Sequence, residues 1–271
     1  MVNFEPKPTY NVEDLRQIVA LLRAPGGCPW DGAQTHESLR RNFIEEAYEV
    51  AEAIDEASPA HLKEELGDVL LQVLFHASIE EDAGRFNLDE VADGICKKLI
   101  FRHPHVFGQG GEDTPDSWEA LKRQEKGQTT ETETLQAVAK SLPGLWRAEK
   151  IQAKAARAGF EWPNAQAALD KLAEELAELQ QAVAEDSNIE EELGDLLFAA
   201  VKVARFFHID AEEALAGTCE KFIRRFSGVE AAVTAQGRTM HDLDVAQLMA
   251  LWNREKHPEQ REKKTREGKH Q

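Results

Sequence analysis

The sequence predicts an all-α protein made of a tandem repeat of helical-bundle domains. Three observations carry that prediction. Apolar residues recur at helical spacing along nearly the whole chain, and no convincing alternating strand pattern interrupts them. Ala, Leu, Glu and Lys dominate its 271 residues, whereas Gly (17) and Pro (10) are sparse, a bias that favours helix. The two halves also repeat one ordered set of motifs, as a duplicated unit does.

Phe43, Ile44, Ala47, Val50, Ala51 and Ile54 fall on one helical stripe; Leu62, Leu66, Val69, Leu70, Val73 and Ala77 make another. Both stripes are expected to face a core. Punctuation comes from Ser58-Pro59, Gly84, Pro104, Gly108 to Gly111 and Ser141-Leu142-Pro143-Gly144. Residues 127–134 are polar and rich in Thr and Glu, as a linker would be. The expected organisation is a first domain over 11–126, a linker over 127–140 and a second domain over 141–257. A tail over 258–271 keeps no apolar face and is expected to be disordered.

Composition narrows the function classes. A 42% hydrophobic content is enough for a packed core. The net charge of −18 repels nucleic-acid phosphates, so no nucleic-acid partner is expected. A nucleotide substrate is still admissible, because a bound cation reverses the local field. The apolar run Val69 to Phe75 is far too short to cross a bilayer, and Met1 to Tyr10 has no apolar signal core. Cys28, Cys96 and Cys219 are odd in number and contain no CxxC pair, so they read as reduced thiols. A cytoplasmic protein with no membrane partner is the expectation.

The repeat places the chemistry. Glu45-Glu46-Ala47-Tyr48-Glu49 and Glu65-Leu66-Gly67-Asp68 in the first half correspond to Glu174-Glu175-Leu176-Ala177-Glu178 and Glu192-Leu193-Gly194-Asp195 in the second. Lys98 and Arg102 then match Lys221 and Arg225, and Trp118 and Lys122 match Trp252 and Lys256. At about 100° per residue, Glu175 and Glu178 lie side by side, roughly 60° apart, and Glu192 and Asp195 do the same. Antiparallel packing of the two helices makes the four carboxylates converge. Glu46, Glu49, Glu65 and Asp68 form the equivalent set, a second candidate metal site in the first half. Four converging carboxylates repel one another unless a cation neutralises them. An oxygen-only donor set favours Mg²⁺, with Mn²⁺ a substitute and Zn²⁺ disfavoured. One ExxE alone would be an ordinary solvated face, since 50 residues are acidic; the paired and duplicated pattern favours metal. Gly67 and Gly194 sit inside helical patterns, where close approach of a ligand or a packing contact would offset their cost.

The cationic groups distinguish the halves. Lys171 precedes Glu175 by four and shares its face, whereas Asn42 holds that position before Glu46. Arg224 stands beside Arg225, where Phe101 stands beside Arg102. Lys and Arg suit phosphate oxygens, and a Trp face suits a base. Cys28 has no base at a known distance to activate it. His103 and His105 flank Pro104, which interrupts the helix, so they take part in a turn more readily than they build a metal site.

EExxE followed by ExxD resembles the all-α NTP pyrophosphatase superfamily. Cys28-Pro29-Trp30-Asp31, Gln34-Thr35-His36 and Arg102-His103-Pro104-His105-Val106-Phe107 resemble the first domain of two-domain MazG proteins. Ser141-Leu142-Pro143 and Gly159-Phe160-Glu161-Trp162 resemble the opening of the second. The resemblance implies Mg²⁺-dependent hydrolysis of nucleoside triphosphates to monophosphate and pyrophosphate by a homodimer, with catalysis in the second domain. By position it implies Glu175, Glu178, Glu192 and Asp195 as metal ligands. Lys171, Glu191, Lys221, Arg224, Arg225, Trp252 and Lys256 form the expected substrate-binding set. Glu174 or Glu175 is the expected general base.

Rival classes remain at this stage. A di-iron carboxylate bundle needs Glu-x-x-His motifs, which these positions lack. A non-catalytic helical interaction protein explains the acidic surface but not the duplicated ligand spacing. A phosphoribosyl-ATP or dUTP-type pyrophosphatase shares the chemistry, although the former usually occupies one short domain.

Overall fold

The computed structural model describes residues 4–108, 110 and 114–256; the tail over 258–271 lies outside them. Among the described residues every regular element is helical. The chain divides after Lys122 into two compact units.

The first unit contains α1 (Val12–Arg23), α2 (Pro29–Gly32), α3 (His36–Asp55), α4 (Pro59–Asp82) and α5 (Leu88–Arg102); α6 (Pro115–Glu125) runs across the division. The helix starts follow from local sequence. Asn11, Thr35 and Asn87 close capping boxes with Asp14, Ser38 and Glu90, and Ser58 caps α4 ahead of Pro59. These caps satisfy backbone N–H groups that have no helical partner. α5 ends at Arg102, as a proline at 104 requires, because the residue before proline is pushed out of helical geometry. α3 and α4 form a hairpin, and α1 and α5 lie against α4. Val19, Leu39, Leu74 and Phe75 are the buried core, with Leu15, Leu70 and Leu88 packed around them.

The second unit contains α7 (Glu131–Gln136), α8 (Gly144–Arg157), α9 (Ala165–Glu185), α10 (Ile189–Phe206), α11 (Ala211–Thr234), a short 3-10 turn (Met240–Asp242) and α12 (Val245–Lys256). α7 falls within the stretch expected as a linker. Its Thr and Glu are the cap of a helix: Thr130 and Glu133 bond each other's backbone, and Thr134 and Val138 are buried. α7 packs on α8, which rests on α10 and α11. Asp186 and Asn188, both at φ 51°, turn the chain from α9 into α10. Asp and Asn are among the few side chains that tolerate this left-handed region. The Trp146 indole N–H donates to the Asp210 carboxylate at 3.0 Å, and the same carboxylate caps α11. Val229, Val233 and Leu251 form a buried cluster between α11 and α12.

The stripes expected to face a core do so only in part. Ala77 is buried, but Ile44, Ile54 and Leu66 are 43%, 58% and 50% exposed. Leu176, Leu193, Leu197, Phe222 and Ile223 are exposed in the second unit as well. Polar Glu65, Gln72 and Glu80 are buried on α4 instead. Periodicity locates an apolar face but does not say what covers it.

Candidate active site

The α9–α10 hairpin brings together the central residues of the second-half motif. Glu175 on α9 is buried, and its carboxylate oxygens, with those of Glu192 and Asp195 on α10, lie within 4.8 Å of one another. Lys171, one turn before Glu175, has its Nζ 2.8 Å from Glu175 Oε1 and 2.7 Å from Glu174 Oε1. Those two carboxylates hold the Lys171 ammonium well above the ordinary lysine range. Glu178 stands beside the trio; its hydrogen bond with Glu175, together with burial, raises its carboxyl above the usual value. Glu174 and Glu191 are exposed on the rims of the two helices.

The α3–α4 hairpin builds a related cluster in the first unit, with Glu49 as its third member where the second unit has Asp195. Glu46, Glu49 and Glu65 offer oxygens within 4.8 Å of one another, with Glu65 buried. Burial, a hydrogen bond with Glu49 and the nearby Asp68 raise the Glu46 carboxyl; burial and Glu49 raise Glu65. In place of the lysine, His61 Nε2 lies 3.1 Å from Glu65 Oε1 and its Nδ1 2.9 Å from Glu56 Oε2. Burial first, then neighbouring carboxylates, raises Glu46 and Glu65, and the hydrogen bond with Glu175 raises Glu178, so both clusters crowd acidic groups beyond what Lys171 and His61 offset. An oxygen-only set with that excess charge fits a hard divalent cation.

The second cluster opens into a cavity that includes its ligands. A space of about 500 Å³ is bordered at one end by Lys171, Glu175 and Asp195, and elsewhere by Phe160, Trp162 and Phe198. Phe160 and Trp162 sit on the loop between α8 and α9, which turns at Gly159 with φ 87°, a backbone region favouring glycine. Glu161 in that loop binds Lys202 at 2.8 Å and Arg205 at 2.9 Å. Burial raises its carboxyl, but these hydrogen bonds outweigh burial and lower it.

The remaining expected contacts lie elsewhere on the unit. Lys221, Arg224 and Arg225 are on α11, and Trp252 and Lys256 are on α12; the Trp252 ring packs on Phe222 at 4.9 Å. None of the described residues lining the cavity comes from either helix. A Cβ added at Gly67 or Gly194 would meet nothing within 4 Å, so no packing contact among the described residues accounts for either glycine. Sequence reasoning assigned no role to Gln152, Lys202 or Arg205, and met Glu161 only as part of the Gly159-Phe160-Glu161-Trp162 motif. One signal was present: Gln152 falls on the apolar spacing of Leu145, Ala148 and Ala155.

The MazG nucleotide pyrophosphohydrolase domain profile matches residues 34–107 and 164–229, which hold the two carboxylate hairpins. Trp252 and Lys256 lie beyond the second match. The chain is 42% identical over 244 residues to a Thermotoga maritima nucleoside triphosphate pyrophosphohydrolase/pyrophosphatase MazG, covering 90% of this chain and 95% of that protein. It is 39% identical over 257 residues to a nucleoside triphosphate pyrophosphohydrolase of Escherichia coli, covering 92% and 98%. It is 47% identical over 253 residues to the Bacillus subtilis protein YabN, covering 91% of this chain and 52% of that one. With the domain present twice and the alignment running nearly end to end, the chain belongs to the MazG nucleotide pyrophosphohydrolase family.

Proposed function

We propose that this chain is a Mg²⁺-dependent nucleoside triphosphate pyrophosphohydrolase whose second domain converts NTPs and dNTPs, with water, to monophosphates and pyrophosphate. The observation that supports it most is the Glu175–Glu192–Asp195 cluster, with Lys171 against it and a cavity open beside it. Glu175, Glu178, Glu192 and Asp195 would hold Mg²⁺, with Mn²⁺ a substitute. The ion supplies charge neutralisation on the phosphates and polarises the phosphorus that is attacked. Glu174 or Glu175 would accept a proton from water; Lys171 lies against both, and Glu174 is the one outside the cluster. The oxygen of water adds to phosphorus, the bridging P–O bond between the α and β phosphates breaks, and pyrophosphate leaves with the electron pair. The Lys171 ammonium stabilises charge developing on those oxygens. Lys221, Arg224, Arg225, Trp252 and Lys256 are assigned to the nucleotide's outer parts, and Glu191 to the rim.

The working state is proposed to be a homodimer. Exposed Leu193, Leu197, Phe222 and Ile223 form more apolar surface than a solvated helix needs, and Gly194 leaves its helix face flat. The proposed cellular role is clearance of surplus or non-standard nucleotides in the cytoplasm. Among the described residues no helix is long and apolar enough to cross a membrane, and the three cysteines are unpaired.

Product analysis over a panel of NTPs and dNTPs tests the function. Monophosphate and pyrophosphate should appear, EDTA should stop the reaction, and Mg²⁺ or Mn²⁺ should restore it. Diphosphate with orthophosphate as main products would reject α–β cleavage. Full turnover in chelator would reject the metal. A light-scattering mass that stays at 30.3 kDa at micromolar concentration would reject the dimer.

A further inference from the structure

We propose that α7, in the segment that joins the two domains, is a lid on the catalytic cavity of the second, and that Leu135 is the residue through which it seals. The inference rests on the pyrophosphohydrolase function and adds to it a moving part from outside the matched domain. The second profile match begins at residue 164, well past α7 at Glu131–Gln136. Yet Leu135 borders the same space of about 500 Å³ that Lys171, Glu175 and Asp195 border. It is the one large apolar side chain that α7 carries, and it is half-buried there.

The construction of α7 suits a lid, because it is stiff within itself and lightly attached. The Thr130 and Thr129 backbone N–H groups donate to the Glu133 carboxylate at 2.9 and 2.6 Å, which holds that carboxyl below the usual range. Thr130 Oγ1 accepts from the Glu133 N–H in return, and Gln128 Nε2 donates to the Glu133 carbonyl at 3.2 Å. The helix is nevertheless six residues long, against the roughly 12–15 that an isolated helix needs, so it stays formed by packing on a neighbour. That neighbour is α8, and the buried anchors are small: Thr134, and Val138 just past the helix end. Thr134 spends its hydroxyl on the Glu131 carbonyl of its own helix. Upstream, α7 is tied by an Arg123–Glu131 ion pair at 2.7 Å whose side chains are 34% and 52% exposed, a contact worth little in water. Gly127, at φ 61°, precedes the helix, and Ser141-Leu142-Pro143 follows it. A stiff element with few buried anchors, set between a left-handed glycine and a proline-bearing loop, opens as a unit at small cost.

Sealing the cavity has a definite chemical effect. Keeping water out strengthens the attraction of Lys171 and of a bound cation for phosphate oxygens. Substrate and transition state both carry those oxygens, so the gain falls on both alike and is read in KM rather than kcat. Leu135 supplies only apolar bulk to this end. Linkage makes the effect reciprocal: a substrate held better with α7 closed must itself hold α7 closed.

Kinetics on the full chain carry the first test. Leu135→Ala should raise KM for nucleoside triphosphates about fivefold or more, with kcat changed less than about threefold. Leu135→Met keeps the bulk and should keep KM within about twofold of wild type. Val138→Ala thins a buried anchor that does not line the cavity; it should lower Tm at least as much as Leu135→Ala does and leave KM within about twofold. The second test is amide hydrogen exchange. Mg²⁺ with an α,β-methylene nucleoside triphosphate should slow exchange over residues 133–138 severalfold in the wild type, and Leu135→Ala should lose that protection. An unchanged KM in Leu135→Ala, equal rises in Leu135→Ala and Val138→Ala, or exchange at α7 that the nucleotide leaves unaltered overturns the lid. A wild type that releases pyrophosphate from no nucleotide, while exchange at α7 still slows, would refute the enzymatic function and leave the lid standing.

Discussion

The two hairpins of this chain carry the same carboxylates and differ in what surrounds them. In the second, Lys171 bonds Glu174 and Glu175, and the cluster opens into an aromatic-walled cavity. In the first, Asn42 replaces that lysine and a histidine, His61, bonds Glu65. A cavity of about 530 Å³ in the first unit is bordered by Glu13, Arg16, Arg23 and Asp82, and no member of the carboxylate cluster lines it. Ligand geometry survives duplication easily, because ExxE and ExxD need only helical spacing. A permanent cation and a concave space beside the ligands depend on several elements at once, and they are where the copies part.

The largest expected effect separates the copies directly. Glu175→Gln or Asp195→Asn should lower kcat at least 100-fold, on the order of other losses of preorganised electrostatic stabilisation. Glu46→Gln or Asp68→Asn should change it less than about threefold, since the loss sits outside the proposed catalytic domain. Steady-state pyrophosphate release from the four folded variants checks this, and equal losses in both pairs would erase the distinction. Next in size is the lysine: Lys171→Met should cost about tenfold or more in kcat/KM, the worth of one charge-assisted contact. Asn42→Lys should not rescue Asp195→Asn, because the first hairpin would gain a cation but not the aromatic-walled cavity of the second. Rescue would show that the cation alone made the difference. Metal binding can be read without turnover. Mg²⁺ should raise the Tm of wild type by a few degrees, and Glu175→Gln should reduce that gain more than Glu46→Gln does.

The smallest expected effect lies at the far end of each hairpin. His36, at the start of α3, bonds Glu80 near the end of α4 at 2.5 Å, and Arg85 binds the same carboxylate. In the second unit the polarity is reversed: Glu161, before α9, binds Lys202 and Arg205 near the end of α10. Hydrogen bonds from Arg85 and His36 lower the Glu80 carboxyl from 4.5 to about 2. A depressed carboxyl stabilises the fold fully above its ordinary value, and the benefit fades as pH falls through the lowered one. Glu80→Gln and Glu161→Gln should therefore each lower Tm at pH 7. The Glu80→Gln gap should shrink between pH 4.5 and 2. A gap that is constant with pH would place the effect in packing rather than charge.

The sequence made the hairpins legible, and with them three of the four acidic positions that cluster in each, because helical pairs follow from short-range spacing; Asp68 and Glu178 stand outside the clusters. Caps at Asn11, Thr35 and Asn87 are local too, and so is the stop before Pro104. The polar stretch around Thr130 misled because one capped turn of helix has the composition of a loop. Burial was legible only in part: Ile54 and Leu66 have core periodicity and stay open, since covering them depends on elements distant in sequence or on another chain. The Glu161–Lys202 pair spans 41 positions and the Gln152–Phe198 bond spans 46, beyond the reach of any spacing rule. Gln152 left one trace, a polar side chain on an apolar stripe, which says only that something is odd there.

Gly67 and Gly194 hold the same register in the two hairpins, with open space where a side chain would go. A mid-helix glycine costs about 1 kcal/mol relative to alanine, so alanine at either site should make the isolated chain more stable. The molecule is thus softer beside the acidic residues of α4 and α10 than its own packing requires. Such a position uncouples two properties that usually fall together under mutation. A methyl group there can raise the melting temperature while roughening a stretch of helix smooth enough for another surface to slide against.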